Sequence, residues 1–295
     1  MSKLNRFAST IISAVPTPVI EFVSHNQWRS PLLRRVCSWG ASWVKDRDGV
    51  ILNGVAQGLR FNVASSHSGF ILGSHEPEVQ KALAAVLRPG MVYFDAGANV
   101  GFFAILAARL LGPAGRVVCF EPLPENARQI EHNAALNGFS NITVCQDALG
   151  GSNRTETFCT STEPTWGMLT SVGKAPVQSS GTIDVSVRTL DSLCGPDKLP
   201  YPDLIKIDVE GAEAELLEGA AATLATSRPL LIIELHNTNE AVLTALRKLG
   251  YHAGVLGSAV SVRDVNWDAN IIAAPADRPG LLRTMTTLSK GFAAA

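Results

Sequence analysis

Four short stretches hold residues whose types and spacing could do chemistry together. The first is Asp95-Ala-Gly-Ala-Asn-Val-Gly101, between a short apolar run and an apolar helical pattern. Gly97 lets the chain turn and a ligand approach the backbone, and Gly101 lets the next helix sit close. A helix start there supplies unpaired N–H groups and the positive dipole end. The second is Glu121-Pro122, closing the next apolar run, about twenty residues on, where a carboxylate can accept both ribose hydroxyls of a nucleoside. The third is Lys206-Ile-Asp-Val-Glu-Gly-Ala-Glu213. Strand alternation sends Lys206 and Asp208 to the same side. The fourth is Glu234-Leu-His236, at the end of another apolar run.

A turn built for a pyrophosphate reads G-x-G-x-x-G. Here the spacing is Gly97-x-x-x-Gly101, with Asp95 just before it. A carboxylate at that point suits an amino-acid end better than a pyrophosphate. S-adenosylmethionine carries adenosine and an amino acid without phosphate, so it is the expected cofactor. A nicotinamide-dependent oxidoreductase is the competing enzyme reading. A non-catalytic, membrane-associated protein that keeps the fold is the competing reading of another class.

If the acceptor is an aliphatic hydroxyl, as the family resemblance given below implies, its proton has to be removed, and a positioned base supplies about 10²–10⁴-fold. His236 is the expected base, with an unperturbed pKa of about 6.5. Asp208 or Glu210 could act instead, or orient the ring. Glu213 and Glu215 read as first-turn acids of the next helix. Asp208, Glu234 and His236 could alternatively hold Mg²⁺ or Mn²⁺, which would acidify the hydroxyl.

The elements that must position these groups follow a rhythm. Strands are expected at Met91–Asp95, Arg116–Glu121, Ile142–Gln146, Leu204–Asp208 and Leu230–Leu235, with last strands at Tyr251–Leu256 and Asn270–Ala274. Helices are expected at Val100–Leu111, Pro124–Asn137, Ala212–Ala225 and Glu240–Leu249. Such alternation means crossover units and a mostly parallel sheet with helices on both faces. Residues 147–202 interrupt it and are too long for a plain connector. Two strands are expected there, Thr155–Thr160 and Ile183–Val187, making a β insertion between the third and fourth core strands. Upstream, short strands are expected at Val50–Asn53, Leu59–Val63 and Phe70–Leu72, then a helix over Pro77–Leu87. The expected division is 1–50 as a helical, basic extension, 51–88 as a lead-in segment, 89–275 as the catalytic core, and 276–295 as a weakly patterned tail.

Composition narrows the field. The chain has 295 residues, 46% hydrophobic, with 25 Lys plus Arg against 26 Asp plus Glu. That length buries a real core, and the balanced charge argues against a nucleic-acid partner. Five scattered cysteines form no zinc spacing, which favours a reducing, cytoplasmic setting. Three of the five tryptophans (Trp28, Trp39, Trp43) lie in 1–50 among Arg34 and Arg35. They allow a basic amphipathic helix on the inner membrane surface, or a helix packed on the main domain.

The sequence resembles the FkbM-type S-adenosylmethionine-dependent methyltransferases over roughly residues 55 to 260. The resemblance rests on Phe94–Gly101, on Phe120-Glu-Pro-Leu-Pro124 with Asn126 and Asn133, on Lys206–Glu213 and Glu234–His236, and on Gly73-x-x-Glu76-Pro77. It implies a class I methyltransferase fold, Rossmann-like, with a seven-stranded sheet whose last strand is antiparallel. It also implies O-methylation of sugars, polyketides or other hydroxylated metabolites. Carried over by position, Asp95, Gly97, Asn99 and Gly101 would line the methionine and ribose side. Glu121 would take the ribose hydroxyls, Pro122 would shape the turn, and Asp147 would face the adenine amine. The acceptor surface is expected from residues 60–77 and 150–190, with His67, His75 and Trp166 as candidate contacts.

Overall fold

The computed structural model describes residues 47–64, 69–161, 167–172, 179–265 and 269–278. The helix expected within 29–45, the tail from 279, and His67 and Trp166 lie outside these. Strands β1 (Asp48–Val50) and β2 (Arg60–Asn62) pair antiparallel. Helical turn α1 (Gly69–Leu72) and helix α2 (Pro77–Val86) follow. The strand expected at Phe70–Leu72 is therefore helical. Adjacent Phe70 and Ile71 both bury in one core, whereas a strand would send them to opposite faces.

Strand β3 (Val92–Ala96) leads into α3 (Phe102–Leu111), and β4 (Arg116–Phe120) into α4 (Pro124–Leu136). After β5 (Ile142–Cys145), the insertion carries β6 (Ala148–Leu149), β7 (Arg154–Ser161), β8 (Gly167–Leu169), β9 (Ser179–Arg188) and the single turn α5 (Leu190–Leu193). The core resumes with β10 (Leu204–Ile207), α6 (Glu213–Glu218), α7 (Ala221–Ser227) and β11 (Leu230–Glu234). Helix α8 (Asn239–Lys248), β12 (Tyr251–Val255) and β13 (Asn270–Pro275) complete it.

Among the described residues, seven strands form one sheet in the order β12-β13-β11-β10-β3-β4-β5. Strands β11, β10, β3, β4 and β5 run parallel, and β13 is antiparallel to both β11 and β12. This is the class I methyltransferase arrangement. The winding direction reverses between β3 and β10, and ligands of open α/β sheets bind at the carboxyl ends beside such a reversal. Both faces are covered. Tyr93, Cys119 and Ile232 face the cluster that includes α2 and α3. Phe94, Phe120 and Ile233 face the cluster that includes α6, α7 and α8.

The lead-in segment is tied to this core by asparagines of α4. Asn133 Oδ1 accepts from Asn62 N at 2.8 Å, and its Nδ2 donates to Val100 O at 2.8 Å. Asn137 Oδ1 accepts from Arg60 N at 2.9 Å. Ile51 and Phe61 bury with Tyr93 and Phe102 in one cluster.

The insertion forms a second sheet of order β6-β9-β7-β8. It alters the helix expected over Ala212–Ala225, which splits into α6 and α7. A Cβ at Gly219 would stand 2.1 Å from Gly150 O, so the insertion's backbone presses on the break. Asp191 then caps the new helix start, accepting from Ala222 N and Thr223 N at 2.9 and 2.7 Å.

Candidate active site

Gly97 follows directly on β3 with φ +81°, and its N–H donates to Phe120 O at 3.0 Å. A Cβ there would lie 1.8 Å from Asp208 O. The position therefore needs glycine for its conformation and for the close approach of the strand beyond. Asn99, at φ +50°, turns its N–H onto Glu121 Oε2 at 2.9 Å. Glu121 Oε1 accepts from Leu123 N at 3.0 Å and Asn126 Nδ2 at 3.3 Å. Burial pushes the Glu121 carboxyl up to about 7 in spite of these donors. One cavity is lined by Gly97, Asn99, Glu121 and Pro122, by Phe158 and Leu169 of the insertion, and by Asp208 and Glu210.

Three residues expected at the cofactor do not line this cavity. Asp95 is only 1% exposed and does not line the cavity. It still lies within β3, before the turn, and pairs in register with Lys206. Burial raises the group to about 6, with Lys206 and then the Tyr93 hydroxyl opposing. Gly101, at φ +85°, caps α3 against the Ile130 side chain and does not line the cavity. Asp147 is half-buried between β5 and β6, next to the cavity residue Ala148, and does not line it. His75 is also not on the cavity. Its ring sits 4.4 Å from Phe70 and 5.5 Å from Phe103, with Nε2 2.9 Å from Glu76.

The strand-four motif assembles as its alternation requires. Lys206 Nζ lies 2.9 Å from Asp208 Oδ2 and 4.9 Å from the Phe103 ring centre. Burial opposes the lysine charge, yet Asp208, Glu76, Asp95 and Glu234 hold it protonated beyond the usual lysine range. His236 Nδ1 is 2.8 Å from Glu213 Oε1, while Nε2 is 3.4 Å from Glu210 Oε2 and 3.8 Å from Asp208 Oδ1. Burial favours the neutral ring, but Glu213, Glu210 and Asp208 raise it to about 9. Glu210 rises to about 7, through burial and the nearby acids, with His236 and Lys206 opposing. Glu234 rises to about 9, through burial and then Asp208 and Glu76.

The three residues expected as metal ligands divide between two groups. Asp208, Glu210 and His236 bring ligand atoms within 4.8 Å of one another, and so do Glu76, Asp208 and Glu234. Lys206 Nζ already serves Asp208 as a cation.

Two further acids join this cluster without having been assigned a role in it from sequence. Glu76, read only as part of the Gly73-x-x-Glu76-Pro77 stretch, reaches Asn270 Nδ2 at 3.3 Å and faces Lys206. Glu213 has the spacing of a helix-start acid and does accept from Gly211 N at 2.8 Å. The same carboxylate is fully buried against His236.

The model of the Methyltransferase FkbM domain matches residues 95–253. The chain belongs to this family. It is similar to the hexuronic acid methyltransferase AglP of Haloferax volcanii, 26% identical over 161 residues, which is 55% of this chain and 62% of that protein. It is similar to the 2-O-methyltransferase NoeI of Sinorhizobium fredii, 26% identical over 189 residues, 58% of this chain and 76% of that one. The AMB antimetabolite synthetase AmbE of Pseudomonas aeruginosa is 27% identical over 228 residues, 62% of this chain and 10% of that one. The chain thus spans less than two thirds of the length of AmbE and of AglP. Among the described residues, no helix of this FkbM-domain protein is long and apolar enough to cross a membrane.

Proposed function

We propose that this protein transfers a methyl group from S-adenosylmethionine to a hydroxyl oxygen of a sugar, polyketide or other hydroxylated metabolite. One observation carries the reading. The Glu121 carboxylate is fixed by Asn99 N, Leu123 N and Asn126 on a cavity that also contains Gly97. That is a receptor for a ribose diol next to a backbone that a ligand can approach. The residues fit this cofactor, because a Cβ at Gly97 would destroy the turn and, among the described residues, no basic side chain for a pyrophosphate lines the cavity. The relative named a 2-O-methyltransferase supports oxygen as the acceptor atom, and the one named for a hexuronic acid supports a sugar.

When bound, the cofactor supplies an activated methyl group and its own leaving group. The chain's residues then have to align the acceptor and take its proton. His236 stays charged at neutral pH through its acid partners, so it offers no free base. Glu210, balanced near neutrality 3.4 Å from Nε2, is placed to accept the proton, with His236 as its counter-charge. Asp208, pinned by Lys206, faces the same Nε2 at 3.8 Å, and Glu213 holds the other side of the ring at Nδ1.

A cytoplasmic enzyme with residues 1–50 at the inner membrane surface belongs to the same reading; co-sedimentation with anionic vesicles tests that part. Calorimetry with S-adenosylhomocysteine tests the cofactor, and label transfer from methyl-labelled donor to a panel of hydroxylated sugars tests the reaction. Binding of a nicotinamide dinucleotide in place of S-adenosylhomocysteine would overturn the reading.

A further inference from the structure

The cavity has a side that the parallel sheet does not build. Phe158 of β7 and Leu169 of β8 are cross-strand partners in the insertion, and both line the cavity. They are 8% and 4% exposed. They share an apolar cluster with Ala148, Val185 and Val187, against which Leu123 is packed. Leu123 follows directly on the Glu121 turn and lines the same cavity. An apolar surface therefore begins within two residues of the ribose receptor and runs into the insertion.

Gly167, also on the cavity, shows that the ring's place is defined. It opposes Thr160 in register and has no positive φ, so its backbone does not call for glycine. A Cβ at this position would lie 2.1 Å from Phe158 Cε1 and 2.7 Å from Cζ. Any side chain there would drive the ring from its seat. Glycine at 167 gives clearance to Phe158 first and to the Cys159 carbonyl, 3.1 Å from the same Cβ, second.

We propose that Phe158, kept in place by the missing side chain at Gly167, is the insertion's contact for the purine base of the bound nucleoside. This rests on the cofactor reading above and names the residues that select its base. A purine attached to a ribose held at Glu121 leaves the sugar next to Leu123. There the described residues offer an aromatic ring and aliphatic side chains. Residues 150–190, expected to face the acceptor, thus contribute at least this part to the donor.

Calorimetry with two probes tests the assignment. S-adenosylhomocysteine carries the base and the amino-acid chain, whereas methylthioadenosine carries the base without that chain. Removing an aromatic ring from a base costs about 5- to 150-fold in affinity. Phe158→Ala should weaken both probes by the same factor in that range. Phe158→Leu should recover part of it, and Gly167→Ala should weaken both by displacing the ring. Circular dichroism on each variant separates lost binding from lost folding, and Phe158→Leu serves if Phe158→Ala does not fold. Loss confined to S-adenosylhomocysteine would put the ring on the amino-acid chain and overturn the assignment, as would unchanged affinity for both. If the unaltered protein binds neither probe, it is the cofactor reading that fails.

Discussion

Glu213 Oε1 lies 2.8 Å from His236 Nδ1, and the Glu213 side chain is fully buried. The carboxylate is itself fixed, accepting from Gly211 N and Thr238 Oγ1, each at 2.8 Å. The contact places a proton on Nδ1 and turns Nε2 toward Glu210 and Asp208. His236 then acts on Glu210 as a positive charge. Replacing it by Asn removes that charge, and the Glu210 carboxyl should rise above its value of about 7. The acidic limb of the pH–kcat profile should move to higher pH in His236→Asn. A limb that moves down or stays would show that Glu210 is not the titrating base, and a kcat lowered by about 10²–10⁴-fold with that limb lost would return the base role to the imidazole. Glu210→Gln should lower kcat by about 10²–10⁴-fold, the usual worth of a general base, with S-adenosylhomocysteine affinity retained.

Glu121 makes a second prediction. Ribose hydroxyls donate to the ionised carboxylate, and hydrogen bonds to the charged form favour it. Donor binding should therefore release the proton held with a pKa of about 7. Affinity for S-adenosylhomocysteine should fall as pH drops below 7, and binding heats should differ between buffers of unlike ionisation enthalpy. Glu121→Gln keeps the shape and loses the charge. It should cost about 10- to 150-fold in affinity, from about 1.5–3 kcal/mol for charged hydrogen bonds, and remove the pH dependence.

What could be read from the sequence was what depends on local pattern. The continuous apolar runs around Phe94, Phe120, Ile205 and Ile232 gave the parallel strands, because both faces are covered. Gly97, Asn99 and Glu121 were readable because turn, helix start and acid occur in one crossover unit. Asp95 looked equivalent to them, but the strand runs one residue further than expected and keeps it inside. The split between α6 and α7 was hidden, since Gly219 yields to Gly150, distant in sequence. Glu76 and Asn270 were hidden for the same reason, 194 residues apart yet hydrogen-bonded. Strand β6, two residues long, and β8, three, are too short to show alternation.

Stability should fall with rising pH. His236 moves from its ordinary 6.5 to about 9, so its ion pairs stabilise fully below 6.5 and are lost as pH rises through 9. Glu234 moves from 4.5 to about 9, and its burial begins to cost stability once the unfolded chain ionises above 4.5. Between pH 6 and 9 both groups hold more protons in the folded state than in the unfolded one, so both slopes have the same sign. Glu76, held well below its ordinary value, acts in the opposite sense and only in acid. Thermal unfolding without ligand should show Tm decreasing from pH 6 to pH 9. Glu234→Gln should flatten the decrease, and a Tm that rises over this window would contradict the proton count.

Two acidic groups meet at Asp208, and each is already balanced by a cation of the chain. Lys206 Nζ, 2.9 Å from Asp208, faces Glu76 and Glu234 as well. The imidazolium of His236 faces Glu210 and Asp208. A divalent ion at Asp208, Glu210 and His236 would have to displace the ring's proton before the nitrogen could ligate. It would also add charge a few ångströms from a lysine that cannot move out of the core. Turnover should therefore survive excess chelator, and added Mg²⁺ or Mn²⁺ should leave Tm unchanged. Loss of activity in chelator, restored by either ion, would instead make Asp208, Glu210 and His236 a metal centre and transfer activation of the hydroxyl from Glu210 to the ion.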